Sequence, residues 1–141
     1  MKRLERTPEN IHFLMDRRNK PRIIIRPGES LEIETVRADN MYLDRENPHF
    51  QSHDHVMSVL ANPVTGPVYV EGAMAGDRLK VTIKDIVLGD SGNEGYYTYV
   101  PGQGVFANPF YPEAFPPKTE WCDVSGRVIS LKAAGREIQV E

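Results

Sequence analysis

Two histidines in the middle of the chain stand at a spacing that suits metal coordination. The segment runs His49-Phe50-Gln51-Ser52-His53-Asp54-His55, and in an extended strand the side chains of His53 and His55 would lie on one face. Two imidazoles and a carboxylate from elsewhere can hold zinc with one coordination position open. We therefore consider His53 and His55 as ligands of a divalent metal such as zinc. The competing interpretation is a solvated polar loop without any ligand.

Carboxylates at two predicted strand ends could complete such a site. Asp39 follows an alternating segment, so its carboxylate could be the third metal ligand or could cap a turn. Glu71 closes the run Val68-Tyr69-Val70 and precedes Gly72. Glu71 could act as a general base if burial raises its pKa, or it could be a structural residue that accepts backbone N–H groups. The sequence leaves both alternatives open for each carboxylate.

A glycine-rich loop, Pro101-Gly102-Gln103-Gly104, offers one more polar candidate. The amide of Gln103 could orient a substrate or donate a hydrogen bond to an oxyanion, and an ordinary turn residue is the simpler interpretation. No serine lies in a Gly-x-Ser-x-Gly setting, so a serine nucleophile is not predicted. The one cysteine, Cys122, is expected to be a buried thiol.

Short strands must position these groups. Ile23–Ile25 is β-branched throughout, which favours a strand covered on both faces, and residues 30–36 alternate between apolar and charged side chains. Pro27-Gly28-Glu29 between them predicts a hairpin turn. Residues 55–60 could form a short helix or a strand. Further strands are predicted at residues 11–15, 79–88, 119–124, 127–131 and 136–141, so we expect an all-β fold with long loops and little helix.

Composition sets broad limits on the kind of protein. The 141 residues are 26% charged and 40% hydrophobic, as in an ordinary globular chain, and suggest one domain over residues 1–141. A formal net charge of -3 gives no basic footprint for nucleic acid. No apolar run approaches the length of a membrane span, and no apolar segment of a secretion signal follows the basic N-terminus. We expect a cytoplasmic protein.

One long motif resembles a known family. The run Asn62-Pro63-Val64-Thr65-Gly66-Pro67-Val68-Tyr69-Val70-Glu71-Gly72-Ala73, followed by Gly76-Asp77 and Leu79, is similar to a motif of the acetamidase/formamidase family. Residues 12–13, 27–35 and 99–106 carry further similarity. The resemblance implies a β-sandwich (jelly-roll or CUB-like) hydrolase that cleaves small linear amides to a carboxylate and ammonia. Such a reaction needs a positioned water, a base and an oxyanion stabiliser, and a metal can supply two of these.

The resemblance covers only the N-terminal half of that family. Family members are considerably longer, and their second half carries further site motifs that this chain lacks. One hypothesis is a split enzyme in which a second chain supplies the C-terminal half, within a higher oligomer. The other is a non-catalytic β-sandwich module that binds a ligand or stabilises an oligomer. The final predicted strand leaves a sheet edge where another chain should pair.

Overall fold

The chain divides into two compact units. The computed structural model describes residues 1–89, 94–103, 116–125, 128–133 and 135–140. One unit consists of Met1–Asp44 and Val56–Lys80, and the other of Arg45–His55 and Val81–Glu141. Strands dominate both units, as predicted, and the all-β class is confirmed. Within the described ranges no helix has the length and apolar character needed to cross a bilayer.

The first unit contains three short ladders that join residues far apart in sequence. Two of the ladders are parallel and one is antiparallel. They comprise β1 (Lys2–Leu4) with β4 (Leu31–Ile33), β2 (Ile11–His12) with β5 (Val64–Thr65), and β3 (Ile23–Ile25) with β6 (Val68–Val70). A single 3-10 turn, Pro8–Asn10, precedes β2.

The predicted hairpin between β3 and β4 is wrong. The turn itself forms, because Glu29 N–H donates to the Arg26 carbonyl at 3.0 Å and Gly28 adopts a φ of 87°. The strands then diverge to different neighbours, since β3 pairs with β6 and β4 pairs with β1. The prediction that β3 is covered on both faces is also wrong, because Ile24 is 52% exposed.

Ion pairs and hydrogen bonds from charged side chains hold β1 in place. This strand was not predicted from the sequence. Lys2 Nζ contacts the Glu29 carboxylate at 2.9 Å and donates to the Ile24 carbonyl at 2.8 Å. Arg3 pairs with Glu34, whose other oxygen accepts the Arg6 N–H at 3.1 Å. These contacts hold the basic N-terminus in a parallel ladder whose buried residue is Leu4.

The second unit contains a four-stranded antiparallel sheet in the order β10, β9, β8, β7. The strands are β7 (Glu94–Tyr99), β8 (Lys118–Ser125), β9 (Val128–Ala133) and β10 (Arg136–Val140). Three of them were predicted, whereas β7 was missed. Gly95 lies opposite Cys122, where an added Cβ would come within 3.1 Å of the buried sulfur. This close approach explains why a glycine occupies the strand.

The stretch from residue 79 to residue 88 pairs with none of the described strands. Every residue from 71 to 89 is exposed, and the strand predicted at residues 79–88 is wrong because no ladder forms there. Val81, Ile83 and Ile86 are between 73% and 76% exposed. A strand needs a neighbour to satisfy its backbone groups, and no described strand pairs with this stretch.

The contacts of Arg3 and Arg6 with Glu34 lead to a prediction about stability in acid. The hydrogen bond from Arg3 and the Arg6 N–H hold the pKa of Glu34 below its usual value. A lowered pKa in the folded state gives stability that is present above the usual glutamate pKa and is lost as pH falls through the lowered pKa. We expect Glu34→Gln to lower the urea midpoint at neutral pH and to leave it unchanged in strong acid. Glu5→Gln, at an exposed glutamate of the same unit, should change neither midpoint. If Glu34→Gln lowered the urea midpoint equally at both pH values, the ionised Glu34 carboxylate would not be what stabilises β1.

Candidate functional site

The two predicted histidine ligands lie on a short helix, not on a strand. α1 spans His53–Ser58, and the Ser52 hydroxyl accepts the His55 N–H at 3.2 Å in the manner of an N-cap. Residues two apart on a helix are rotated by about 200° about its axis, so their side chains point to nearly opposite sides. The predicted shared face of His53 and His55 is therefore wrong, because a capped helix replaces the extended segment.

His53 meets Gln103, so two of the predicted site residues come together. Gln103 Nε2 directly contacts His53 Nδ1. With the amide donating to Nδ1, the proton of the neutral ring lies on Nε2, where it can be donated to a bound group. Gln103 is also a turn residue, since its N–H donates to the Val100 carbonyl at 3.1 Å. The side chain of Gln103 thus contacts another predicted site residue, and its backbone forms an ordinary turn.

Arg45 attaches the segment that carries His53 to the four-stranded sheet. Its guanidinium contacts the Glu94 carboxylate at 2.6 Å and lies 4.4 Å from the centre of the Trp121 ring. Trp121 packs in turn on Tyr96, with ring centres 5.4 Å apart. A cation over an indole ring is a favourable contact, so this stack fixes the start of the segment 45–55.

His55 and His49 have different surroundings from His53. His55 Nδ1 accepts the Gln51 N–H at 3.3 Å, and its ring stands edge-on to buried Phe50. These contacts give His55 a structural role in the turn before the helix. His49 Nδ1 is buried and has no hydrogen-bond partner within the described residues. His49 was not among the predicted site residues, and only the burial of its Nδ1 distinguishes it from a loop histidine.

Asp39 is buried in an ion pair. Its side chain is 2% exposed and accepts Nε and Nη2 of Arg37 at 3.0 and 2.7 Å. The Leu43 N–H donates to the same carboxylate at 2.7 Å, and Arg37 returns a hydrogen bond to the Leu43 carbonyl. Leu43 itself is 1% exposed. These contacts correspond to the turn-stabilising interpretation of Asp39.

The three predicted metal ligands do not form a ligand set in this structure. Among the described residues, no group of three or more His, Cys, Asp or Glu side chains is placed to hold a metal ion. His53 and His55 diverge on the helix, and Arg37 occupies the Asp39 carboxylate. We therefore assign no chemical step to a metal at these residues.

Glu71 lies at a strand end, as predicted. Its N–H donates to the Ile25 carbonyl at 2.8 Å, and Gly72 then turns the chain with a φ of 79°. The carboxylate receives Arg26 Nε at 2.9 Å, and the side chain is 49% exposed. The burial that the sequence-based interpretation of Glu71 as a base called for is thus absent. The carboxylate is instead open to solvent and oriented by a guanidinium.

Comparisons with known proteins agree with the motif. The model of the acetamidase/formamidase family matches residues 4–128. The crystal structure of an acetamidase from Bacillus halodurans is similar to this chain, with a TM-score of 0.64 and 25% sequence identity. The alignment covers 96% of this chain and 42% of the acetamidase, so the chain spans less than half the length of that relative. A search of curated proteins finds no match.

The Asp39 ion pair makes a prediction about stability. Asp39→Ala leaves the Arg37 guanidinium and the Leu43 N–H without their acceptor, so we expect a loss of about 3 kcal/mol in the free energy of unfolding. Chemical denaturation measures this loss. Asp123→Ala, at an exposed aspartate of β8, is the control and should cost much less. Equal effects of the two substitutions would show that the Asp39 pair does not hold the loop.

Proposed function

This chain belongs to the acetamidase/formamidase family, and on that basis we propose that it is the N-terminal-half subunit of a cytoplasmic amidohydrolase. The enzyme cleaves small linear amides to a carboxylate and ammonia. The observation that carries the proposal is the family match over residues 4–128, which includes the whole motif from Asn62 to Leu79. The likeness to an acetamidase along 96% of the chain supports it.

The proposed chemistry uses Glu71 as its proton-transfer group. Glu71 takes a proton from the attacking water, since its carboxylate is open to solvent and Arg26 fixes its orientation. In the second unit, Gln103 on Nδ1 leaves the Nε2–H of His53 as a hydrogen-bond donor, so Gln103 is a positioning residue for His53.

We propose that a complementary chain supplies the C-terminal half and that the assembly is a higher oligomer. The chain covers 42% of the similar acetamidase, which leaves more than half of that fold to come from elsewhere. In the second unit, the exposed apolar side chains of Val81, Ile83 and Val87 offer an extended surface for a partner strand.

A divalent metal, with zinc as the first candidate, stays a prediction from the sequence. Since the described residues form no group of three ligands, the complementary chain would provide the ligands. When bound, such a metal would polarise the amide carbonyl. The role given to Glu71 does not depend on it.

A non-catalytic module is the second candidate function. In that case the chain binds a small ligand or stabilises an oligomer by itself. The observations that favour it are the short coverage of the acetamidase and the ion pairs that engage both Asp39 and Glu71. The two functions differ in whether the purified assembly releases ammonia from an amide.

The role of Glu71 predicts the effect of one substitution on turnover. In the assembly purified with its partner, Glu71→Gln should lower kcat for acetamide at least about a hundredfold, because glutamine cannot accept the proton of water. Ammonia release measures the rate, and circular dichroism checks the fold. Glu29→Gln, which removes an exposed carboxylate paired with Lys2 in the same unit, should leave the rate unchanged. Full activity of Glu71→Gln would exclude Glu71 as the base.

The partner proposal predicts the composition of the native assembly. Native mass spectrometry of the protein from its own source should show a second chain bound to this one. Ile83→Asp should release that chain, because a charge then replaces an apolar contact. Thr82→Asp, one residue earlier, should retain it, because neighbouring side chains face opposite sides once the stretch pairs with a partner strand. Assemblies of this chain alone would favour the non-catalytic module.

A further inference from the structure

The outer strand of the four-stranded sheet, β10, has one side without a neighbouring strand. On its inner side β9 pairs with it residue for residue, from Arg136 opposite Ala133 to Val140 opposite Ile129. None of the strands that the structure describes pairs with its outer side. In an antiparallel ladder, alternate residues direct their backbone N–H and C=O groups away from the paired neighbour. The outer side of β10 therefore offers hydrogen-bonding groups to a further strand.

β10 lacks the features that usually prevent sheet edges from pairing. Its ladder with β9 runs without a bulge, and residues 136–140 include no proline, glycine or lysine. All of these residues are exposed. The other outer strand, β7, differs because it contains Gly95 and because Arg45 binds Glu94 at its start. β10 is therefore the edge of this sheet that is best suited to receive a further strand.

Apolar side chains on one face of this edge are only partly covered. Ile138 lies opposite Leu131 of β9. Val140 lies opposite Ile129, so the four side chains share one face of the sheet. Ile138 is 44% exposed and Val140 is 47% exposed. A further strand with an apolar residue beside Ile138 would remove part of this surface from water.

The sequence of β10 is complementary to a second copy of itself. If two copies pair antiparallel about a two-fold axis through Ile138, every residue of the strand lies opposite a residue of the other copy. Glu137 then lies opposite Gln139 of the second copy, and Arg136 lies opposite Val140. An axis through Glu137 or Gln139 would pair only residues 136–138 or 138–140. An axis through Glu137 would also place two carboxylates opposite each other, which is unfavourable.

The polar and apolar residues both favour the axis through Ile138. The amide of Gln139 donates to the Glu137 carboxylate of the other copy, and the symmetry forms this hydrogen bond twice. No two like charges lie opposite each other. On the other face of the sheet, the two Ile138 side chains meet between the two Leu131 side chains, so an apolar row crosses the interface.

We propose that β10 is a homodimer interface, at which two copies of this chain pair through antiparallel β10 strands centred on Ile138. The two four-stranded sheets then form one continuous sheet. The partner at this edge is a second copy of the chain, whereas the complementary chain proposed above contacts the stretch that contains Ile83. The homodimer depends neither on the amidase chemistry nor on the complementary chain.

A disulfide across the two-fold axis tests the register. Ile138 is the residue that lies opposite its own copy, at a separation that suits a disulfide. The full chain with Ile138→Cys, treated with the thiol oxidant diamide, should migrate as a covalent dimer on a gel without reductant. Val140→Cys is the matched control, because Val140 has similar exposure on the same face. The two copies of residue 140 would lie about 14 Å apart along the strands, so this variant should stay monomeric on the gel.

An exchange of charges tests the polar pairs. Gln139→Glu places a carboxylate opposite Glu137 in both pairs, so the dissociation constant of the dimer should rise about tenfold in analytical ultracentrifugation. The double variant Glu137→Gln/Gln139→Glu reverses each pair and should recover the natural dissociation constant. Ser125→Glu, which adds the same charge at an exposed position of the inner strand β8, should leave the constant unchanged.

Three results would each overturn the proposal. The first is a natural chain that sediments as a monomer throughout the concentration range of the crosslinking experiment. The second is a dimer in which Ile138→Cys forms no disulfide or crosslinks no better than Val140→Cys, because the interface then lies elsewhere. The third is a double variant that dimerises as weakly as Gln139→Glu alone.

The outcome for the homodimer is separable from the outcome for the complementary chain. Ile83→Asp, which should release the complementary chain, should leave the crosslink of Ile138→Cys intact. If the crosslink forms but the native assembly contains no second kind of chain, the homodimer stands and the proposal of a complementary chain fails. If a second kind of chain is present and Ile138→Cys does not crosslink, the complementary chain stands and the homodimer fails.

Discussion

The buried ion pair of Arg37 and Asp39 is the interaction on which the order of the first unit depends. A carboxylate that is 2% exposed is stable only when its charge is met, and Arg37 meets it with two nitrogens. The same guanidinium and carboxylate bind the backbone of Leu43, a residue that is only 1% exposed. Charge pairing and apolar burial thus stabilise the same loop. Asn62 N–H, which donates to the Ala38 carbonyl at 2.6 Å, connects this loop to the start of the family motif.

The sequence predicted local conformation better than it predicted strand partners. The turn at Pro27–Glu29, the strand end at Glu71 and the strands β8, β9 and β10 follow from glycine, proline and alternating apolar residues. The pairing of β3 with β6 could not be predicted in this way, because the sequence of a short β-branched strand does not indicate which strand will lie beside it. The strand β1 was missed for a different reason. Its sequence is basic, and it is held by Glu29 and Glu34, which lie 27 and 31 residues from their partners Lys2 and Arg3.

The candidate site shows a similar division. His53 was predicted as a metal ligand and Gln103 as a residue that orients substrate, each without reference to the other. The structure brings the two side chains into contact. The spacing of His53 and His55 was interpreted as a strand, and the capping hydroxyl of Ser52 was the overlooked signal for a helix. Burial decides the remaining cases, since Asp39 is enclosed and Glu71 is open. The arginine that pairs with Asp39 is its sequence neighbour Arg37, whereas the arginine that pairs with Glu71 is Arg26, 45 residues away, so only the second pair depends on a long-range contact.

The long-range ladders of the first unit have a consequence for the order of events during synthesis. The strand β2 pairs with β5, and β3 pairs with β6, so each waits for a partner that leaves the ribosome more than forty residues later. Contacts between residues so far apart slow the search for the native pairing. At the usual pace of translation, β2 and β3 remain single for several seconds, with Ile23 and Ile25 available to other chains. The nascent chain therefore depends on the basic and acidic residues around these strands to remain unaggregated until Val70 emerges.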